Sequence, residues 1–258
     1  MKKIVGVIGA GIVTLGMLSG APALAQPGQP PAQAMSIKTK PKTPYMNQRF
    51  ARERTVYGAR DASPYAIAHV TELQYRLRWA REYTGPITGY FGRQTQIAVR
   101  RYQRHEGLLN TGNANHVTWK HLIQDTVRGQ HRFPKVCRAA GWHACYDRTL
   151  HQVTLFRAGV IRNSWLVRGG DYSMQTRKGT FGVFLRDIDH VSTLYDASPM
   201  PYSQFFSGGE ALHGSRFMMD PFVGHSHGCV NMYVEDARQL WNLTSTKPLR
   251  VTVYGAWS

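Results

Sequence analysis

The chain has 258 residues and carries 32 lysines and arginines against 15 aspartates and glutamates, a formal charge of +17 at pH 7. A charge of that size sets up a long-range field that excludes a polycationic partner and favours an anionic polymer. Three cysteines are an odd number, which rules out a fully paired disulfide framework and leaves at least one thiol over.

Met1-Lys2-Lys3, the apolar run from Ile4 to Leu18 and the small residues Ala23-Leu24-Ala25 have the three regions of a secretory signal peptide over residues 1–25. The apolar run, about 15 residues long and interrupted by glycines, is shorter than the roughly 20 that span a bilayer comfortably. No cysteine stands just after the expected cleavage point to carry a lipid. A mature chain beginning near Gln26, secreted or periplasmic and associated with the cell wall, is therefore expected. That compartment turns the charge argument away from nucleic acid and toward the carboxylates and phosphates of anionic cell-wall polymers.

Residues 26–61 are rich in Pro, Gln, Lys and Arg with few apolar side chains, and are expected to be a disordered basic linker because so little burial cannot offset the entropy of ordering. Over 62–127 the pattern becomes helical. Val70, Leu73, Leu77 and Ala80 recur at three and four residue steps, the breaker Thr84–Gly92 ends that helix, a second runs through Ala98, Val99 and Tyr102, and a third covers His116–Gln124. His69, His105, His116 and His121 stand without a carboxylate or cysteine at ligand spacing and are read as surface or satisfied histidines. Leu73-Gln74-Tyr75-Arg76-Leu77, Gly89-Tyr90-Phe91-Gly92, Thr95, Ala98-Val99, Tyr102-Gln103, Gly107-Leu108 and Thr118-Trp119 together resemble the type 1 peptidoglycan-binding domain. A helical spacer that binds nothing is the alternative.

A second linker is expected at 128–143. Cys137 and Cys145, eight residues apart around Gly141, can close a small loop worth roughly 2.5 kcal/mol by loop entropy, with two separate thiols as the alternative. From 144 to 256 the chain reads as mainly β. Gln152–Phe156 and Val160–Val167 form a hairpin across Arg157-Ala158-Gly159, and Phe181–Leu185 and Leu249–Tyr254 add strands. One convincing helix runs from about Val234 to Leu243. The fold class is α+β, a small three-helix domain followed by a mainly β domain.

Ser226-His227-Gly228-Cys229-Val230-Asn231, with His213-Gly214 upstream, is the chemically loaded stretch. A thiol of ordinary pKa, about 8.5, is only about 3 % ionised at pH 7, and an adjacent imidazolium that lowered it to about 6 would raise the thiolate roughly thirtyfold. His213, His225 and His227 are the available imidazoles. His213 is favoured because Gly214 lets a backbone carbonyl approach its second nitrogen and fix the tautomer. Gly228 can turn so that the N–H groups of Gly228 and Cys229 face a developing oxyanion.

This run resembles the signature of the L,D-transpeptidases, the YkuD-type catalytic domain, with support from Lys178-Gly179-Thr180-Phe181, Pro199-Met200-Pro201-Tyr202 and Phe206-Ser207-Gly208-Gly209, the last two resembling lid and site-entrance segments. Arg177 departs from the family pattern by standing where proline is usual. The resemblance implies that Cys229 attacks a peptidoglycan stem tetrapeptide, releases the terminal D-alanine and forms 3-3 crosslinks without a cofactor. It makes His213 the base oriented by Gly214, and Gly228 with Cys229 the oxyanion site. Ser226, His227 and Asn231 would shape or contact the donor, with Tyr195, Tyr202, Gly208 and Gly209 closing or lining the site. β-Lactams, carbapenems in particular, are the expected covalent inhibitors. The alternatives are an L,D-carboxypeptidase or endopeptidase of the same fold, a zinc site of His213, His225, His227 and Cys229, and a non-catalytic wall-binding protein.

Overall fold

The structure, a computed structural model, describes residues 44–195 and 197–258; the expected signal peptide and residues 26–43 of the expected linker lie outside them. Val70, Leu73 and Leu77 place one stripe of α1 (Val70–Trp79) in the core. The Asp61 carboxylate accepts from the N–H groups of Ala68, Val70 and Thr71 and so satisfies donors that the first turn of α1 leaves open. α2 (Arg93–His105) follows the turn, and α3 (His116–Asp125) is capped by Asn115, which accepts from Val117 and Thr118. Two buried glutamines tie the turns to the helices. Gln74 accepts from the amides of Thr88 and Gly89 and donates to Thr95, while Gln103 accepts from Gly112 and donates to the Asn113 carbonyl. An apolar side chain in either place would strand the buried amides of Gly89 and Gly112.

The C-terminal domain consists of β1 (Trp142–Asp147), β2 (Gln152–Arg157), β3 (Val160–Leu166), β4 (Gly179–Gly182), β5 (Leu185–Val191), β6 (Pro199–Ser207), β7 (Glu210–Gly214), β8 (Val230–Met232), α4 (Val234–Thr244) and β9 (Leu249–Tyr254). They form a five-stranded sheet ordered β3-β2-β1-β9-β4 and a four-stranded one ordered β5-β6-β7-β8. The β2–β3 hairpin turns at Ala158 and Gly159, both with positive φ, as its residues suggest. Val153, Trp165, Phe206, Leu212, Val230 and Leu240 belong to the core that the two sheets and α4 share.

Two stretches read as linkers are packed instead. Phe50, Ala51, Arg52 and Thr55 are buried, and Phe50 joins the core of the helical domain. Residues 128–143 contribute Phe133 and Cys137, and Cys137 is bonded to Cys145. That core runs without a break from Leu73 and Trp119 to Phe156 on β2, so the helical and β domains share apolar packing. Few apolar side chains suffice in these stretches because each inserts into a surface already built by distant residues, which composition does not reveal. Likewise Pro199–Tyr202 and Phe206-Ser207, which resemble lid and site-entrance segments, lie on one largely buried strand of the second sheet.

Candidate active site

Topology brings the two reactive residues together. β7 and β8 are parallel, with Leu212 opposite Val230 and His213 opposite Asn231, so the chain must cross over between them; the crossover is the loop 215–229. Its last residue, Cys229, is the free cysteine. Cys229 and His213 line one cavity of about 670 Å³ together with Met174, Tyr195, Gly209 and Glu210.

His213 is buried, and its Nδ1–H donates to the Gly214 carbonyl at 2.8 Å. A carbonyl only accepts, so the proton sits on Nδ1 and Nε2 keeps its lone pair. Gly214 suits this close packing, since a Cβ there would lie 3.0 Å from the Val234 Cα. Burial pushes the His213 pKa down to about 4, against the opposing hydrogen bonds to Gly214 and the Asn231 side chain.

The Cys229 thiol donates to the Gly209 carbonyl at 3.6 Å and accepts from the Ala211 N–H. Burial pushes its pKa up to about 11, and nearby Glu210 adds to the rise. The expected imidazolium–thiolate pair is therefore corrected: both groups rest neutral, because residue identity supplies the partners but burial sets which protonation state survives. Accordingly, alkylation of Cys229 by iodoacetamide is expected to rise about tenfold per pH unit up to pH near 11; a plateau at pH 6–7 would show a preformed ion pair.

Gly228 has φ +114°, as its permissive role requires, but its N–H donates to Ser226 Oγ at 3.2 Å. Ser226 Oγ in turn donates to the Cys229 carbonyl at 2.5 Å. Ser226, which also lines the cavity, is thus an internal tie of the nucleophile loop, and one of the two expected oxyanion donors is occupied. Asn231 lines the cavity and its side chain reaches the His213 ring. His227 stacks on Tyr195, with ring centroids 4.4 Å apart, at the cavity wall.

Tyr202 does not close the site: it is 4 % exposed and packed in the core against Trp241. Gly209 lines the cavity, whereas Gly208 forms the turn before it and faces Arg177. The four residues of the zinc alternative do not converge, since His225 packs on Trp257, His227 on Tyr195, and His213 is turned to Gly214.

Arg168 and Glu210 were not legible as site residues. Arg168 is buried and donates to the carbonyls of Val223 and Phe217 in the crossover loop. Glu210 accepts from the Arg177 N–H, and burial raises its pKa. Its only sequence signal was a carboxylate three residues before His213.

Residues 142–253 match the family model of the YkuD L,D-transpeptidase catalytic domain. This part of the chain is an L,D-transpeptidase catalytic domain of the YkuD family. Residues 68–122 match the peptidoglycan binding domain model. Among solved structures, the chain is similar to an L,D-transpeptidase from Stackebrandtia nassauensis, at 24% identity over 73% of this chain and 92% of that one, with a TM-score of 0.49. It is also similar to an L,D-transpeptidase from Xylanimonas cellulosilytica, at 23% identity over 83% and 100%, with a TM-score of 0.46. No curated protein matches the chain significantly. In the L,D-transpeptidase domain the cavity around Cys229 is the candidate active site.

Proposed function

We propose that this L,D-transpeptidase works through a thioester on Cys229, taking a peptidoglycan stem tetrapeptide as donor and forming 3-3 crosslinks. The observation that carries the reading is a free thiol sharing a cavity of about 670 Å³ with an imidazole whose Nδ1–H is committed to Gly214, leaving Nε2 as the base.

Binding of the donor moves the thiol from the Gly209 carbonyl, and its proton passes to His213 Nε2 as sulfur attacks the carbonyl of the third stem residue. The N–H of Cys229 receives the oxyanion, joined by that of Gly228 when it leaves Ser226 Oγ. The C–N bond to D-alanine then breaks, and the departing nitrogen takes the proton from His213. An acceptor amine attacks the thioester and gives its proton to His213, and the C–S bond breaks as the leaving sulfur takes that proton back, restoring the thiol and the neutral imidazole. Proton transfer in this concerted manner suits two neutral partners, since neither has to be ionised at rest.

Export to the wall and attachment of the helical domain to peptidoglycan or anionic wall polymers belong to the same reading. Arg93, Arg101 and Arg104 are exposed on α2 and supply a cationic surface for it. β-Lactams, carbapenems included, would acylate Cys229 by the same attack on a carbonyl. Incubation of the mature chain with stem tetrapeptides and mass spectrometry of the products tests the reading: D-alanine release with a crosslinked dimer is expected. D-alanine release with free tripeptide alone would assign a carboxypeptidase, and no release would refute acyl transfer.

A further inference from the structure

The loop 215–229 has no helix or strand of its own, although it forms part of the cavity wall and ends in the nucleophile. Its order must come from what holds it, and loops of that length are otherwise prone to open. From the side of the catalytic domain, Arg168 donates to the carbonyls of Phe217 and Val223 at 3.1 and 2.7 Å. From the opposite side the loop is held by the helical domain. Tyr75 on α1 donates to the Asp220 carboxylate at 2.9 Å. The Phe222 ring lies 4.6 Å from Tyr75 and 6.1 Å from Trp79, centroid to centroid. The Arg128 guanidinium stacks 4.0 Å over Trp79 and 5.6 Å from Phe222. Met218 is fully buried in a cluster with Ile67 and Tyr233.

We propose that α1 of the helical domain is a positioning element of the active site: Tyr75 and Trp79, acting through Asp220 and Phe222, hold the loop that carries Cys229. The domain matched to wall binding thereby also sets the reactivity of the nucleophile. Tyr75 and Trp79 lie outside the cavity lining and do not reach the reacting atoms. Their effect is on kcat and on acylation rate, with KM for the donor little changed, because a displaced loop misaligns the thiol more than it weakens stem binding.

The kinetic arm of the test rests on the acyl-transfer reading, and a second readout does not. In the full mature chain, Trp79→Ala and Tyr75→Phe are expected to slow carbapenem acylation of Cys229 at least fivefold, well below the melting temperature of each variant. Trp79→Phe should restore the rate to within twofold of wild type. Combining Trp79→Ala with Phe222→Ala should cost no more than the worse single change, as for partners in one contact. Hydrogen exchange of the amides of 216–223 should quicken about tenfold in Trp79→Ala while those of β2 stay unchanged. Acylation within twofold of wild type in both single variants, or unchanged exchange across 216–223, would overturn the proposal. If wild type itself is not acylated, the acyl-transfer reading falls and the exchange measurement alone decides the positioning claim.

Discussion

Cys229→Ala should abolish D-alanine release, and His213→Gln should slow acylation by about three orders of magnitude, within the range that a positioned general base contributes. The size follows from the resting state. With the thiol pKa near 11, about one molecule in ten thousand holds a thiolate at pH 7. Uncatalysed deprotonation therefore supplies little nucleophile, and the rate depends on Nε2 accepting the proton during attack. Glutamine can keep a hydrogen bond to the Gly214 carbonyl but cannot take that proton. The defect should shrink as pH rises toward 11, where solvent ionises the thiol without help. In wild type, His213 stays unprotonated above about pH 4, so the rate should fall on the acid side only below that value. Single-turnover acylation measured from pH 3.5 to 11 checks both statements. A His213→Gln variant within tenfold of wild type at pH 7 would remove His213 as the base.

The second large effect is on stability. Arg52, Glu72, Arg76, His69 and Asp236 form a buried ion cluster between the segment before α1, α1 itself and α4. Arg52 Nη2 lies 2.9 Å from Glu72 and 3.2 Å from Asp236, Arg76 Nε lies 2.7 Å from Glu72, and His69 lies 3.0 Å from Asp236. Burial alone would raise the Glu72 pKa, but Arg52 and Arg76 overcome it and hold it at about 2. Glu72→Gln leaves two guanidinium groups facing each other without their shared anion. Breaking a buried pair in this way costs about 3–5 kcal/mol, which lowers the melting temperature by roughly 10 °C for a chain of this size. Because the folded pKa of Glu72 lies below its ordinary value of 4.5, its contribution is present above pH 4.5 and is lost as pH falls toward 2. The gap between wild type and Glu72→Gln should narrow over that acid range. Thermal unfolding at pH 7 and pH 3 measures it, and a loss under 1 kcal/mol at pH 7 would show the cluster to be dispensable.

Legibility in the sequence follows the range of the interactions concerned. α1, α2, α3 and α4 are visible because their apolar stripes repeat within one element, and the β2–β3 hairpin because Ala158 and Gly159 mark its turn. Cys229, His213 and Gly214 stand in a short stretch whose chemistry is local, and the Nδ1 bond to Gly214 is a neighbour interaction. Arg52 could not be read as buried, since its partners Glu72 and Asp236 lie 20 and 184 residues away. β7 and β8, of five and three residues, are too short to carry a period of their own, and their pairing depends on the crossover. Tyr202 reads equally as a core or a site aromatic until the sheet containing it is assembled. The protonation state of the Cys229 and His213 pair was out of reach for the same reason: burial is a property of the whole fold.

Intact-mass spectrometry after exposing the mature protein to a carbapenem tests the central claim most directly. The expected result is one adduct per chain, mapped to Cys229 and absent from Cys229→Ala. A wild-type mass that stays unchanged, or an adduct that persists in Cys229→Ala, would contradict acyl transfer through this thiol.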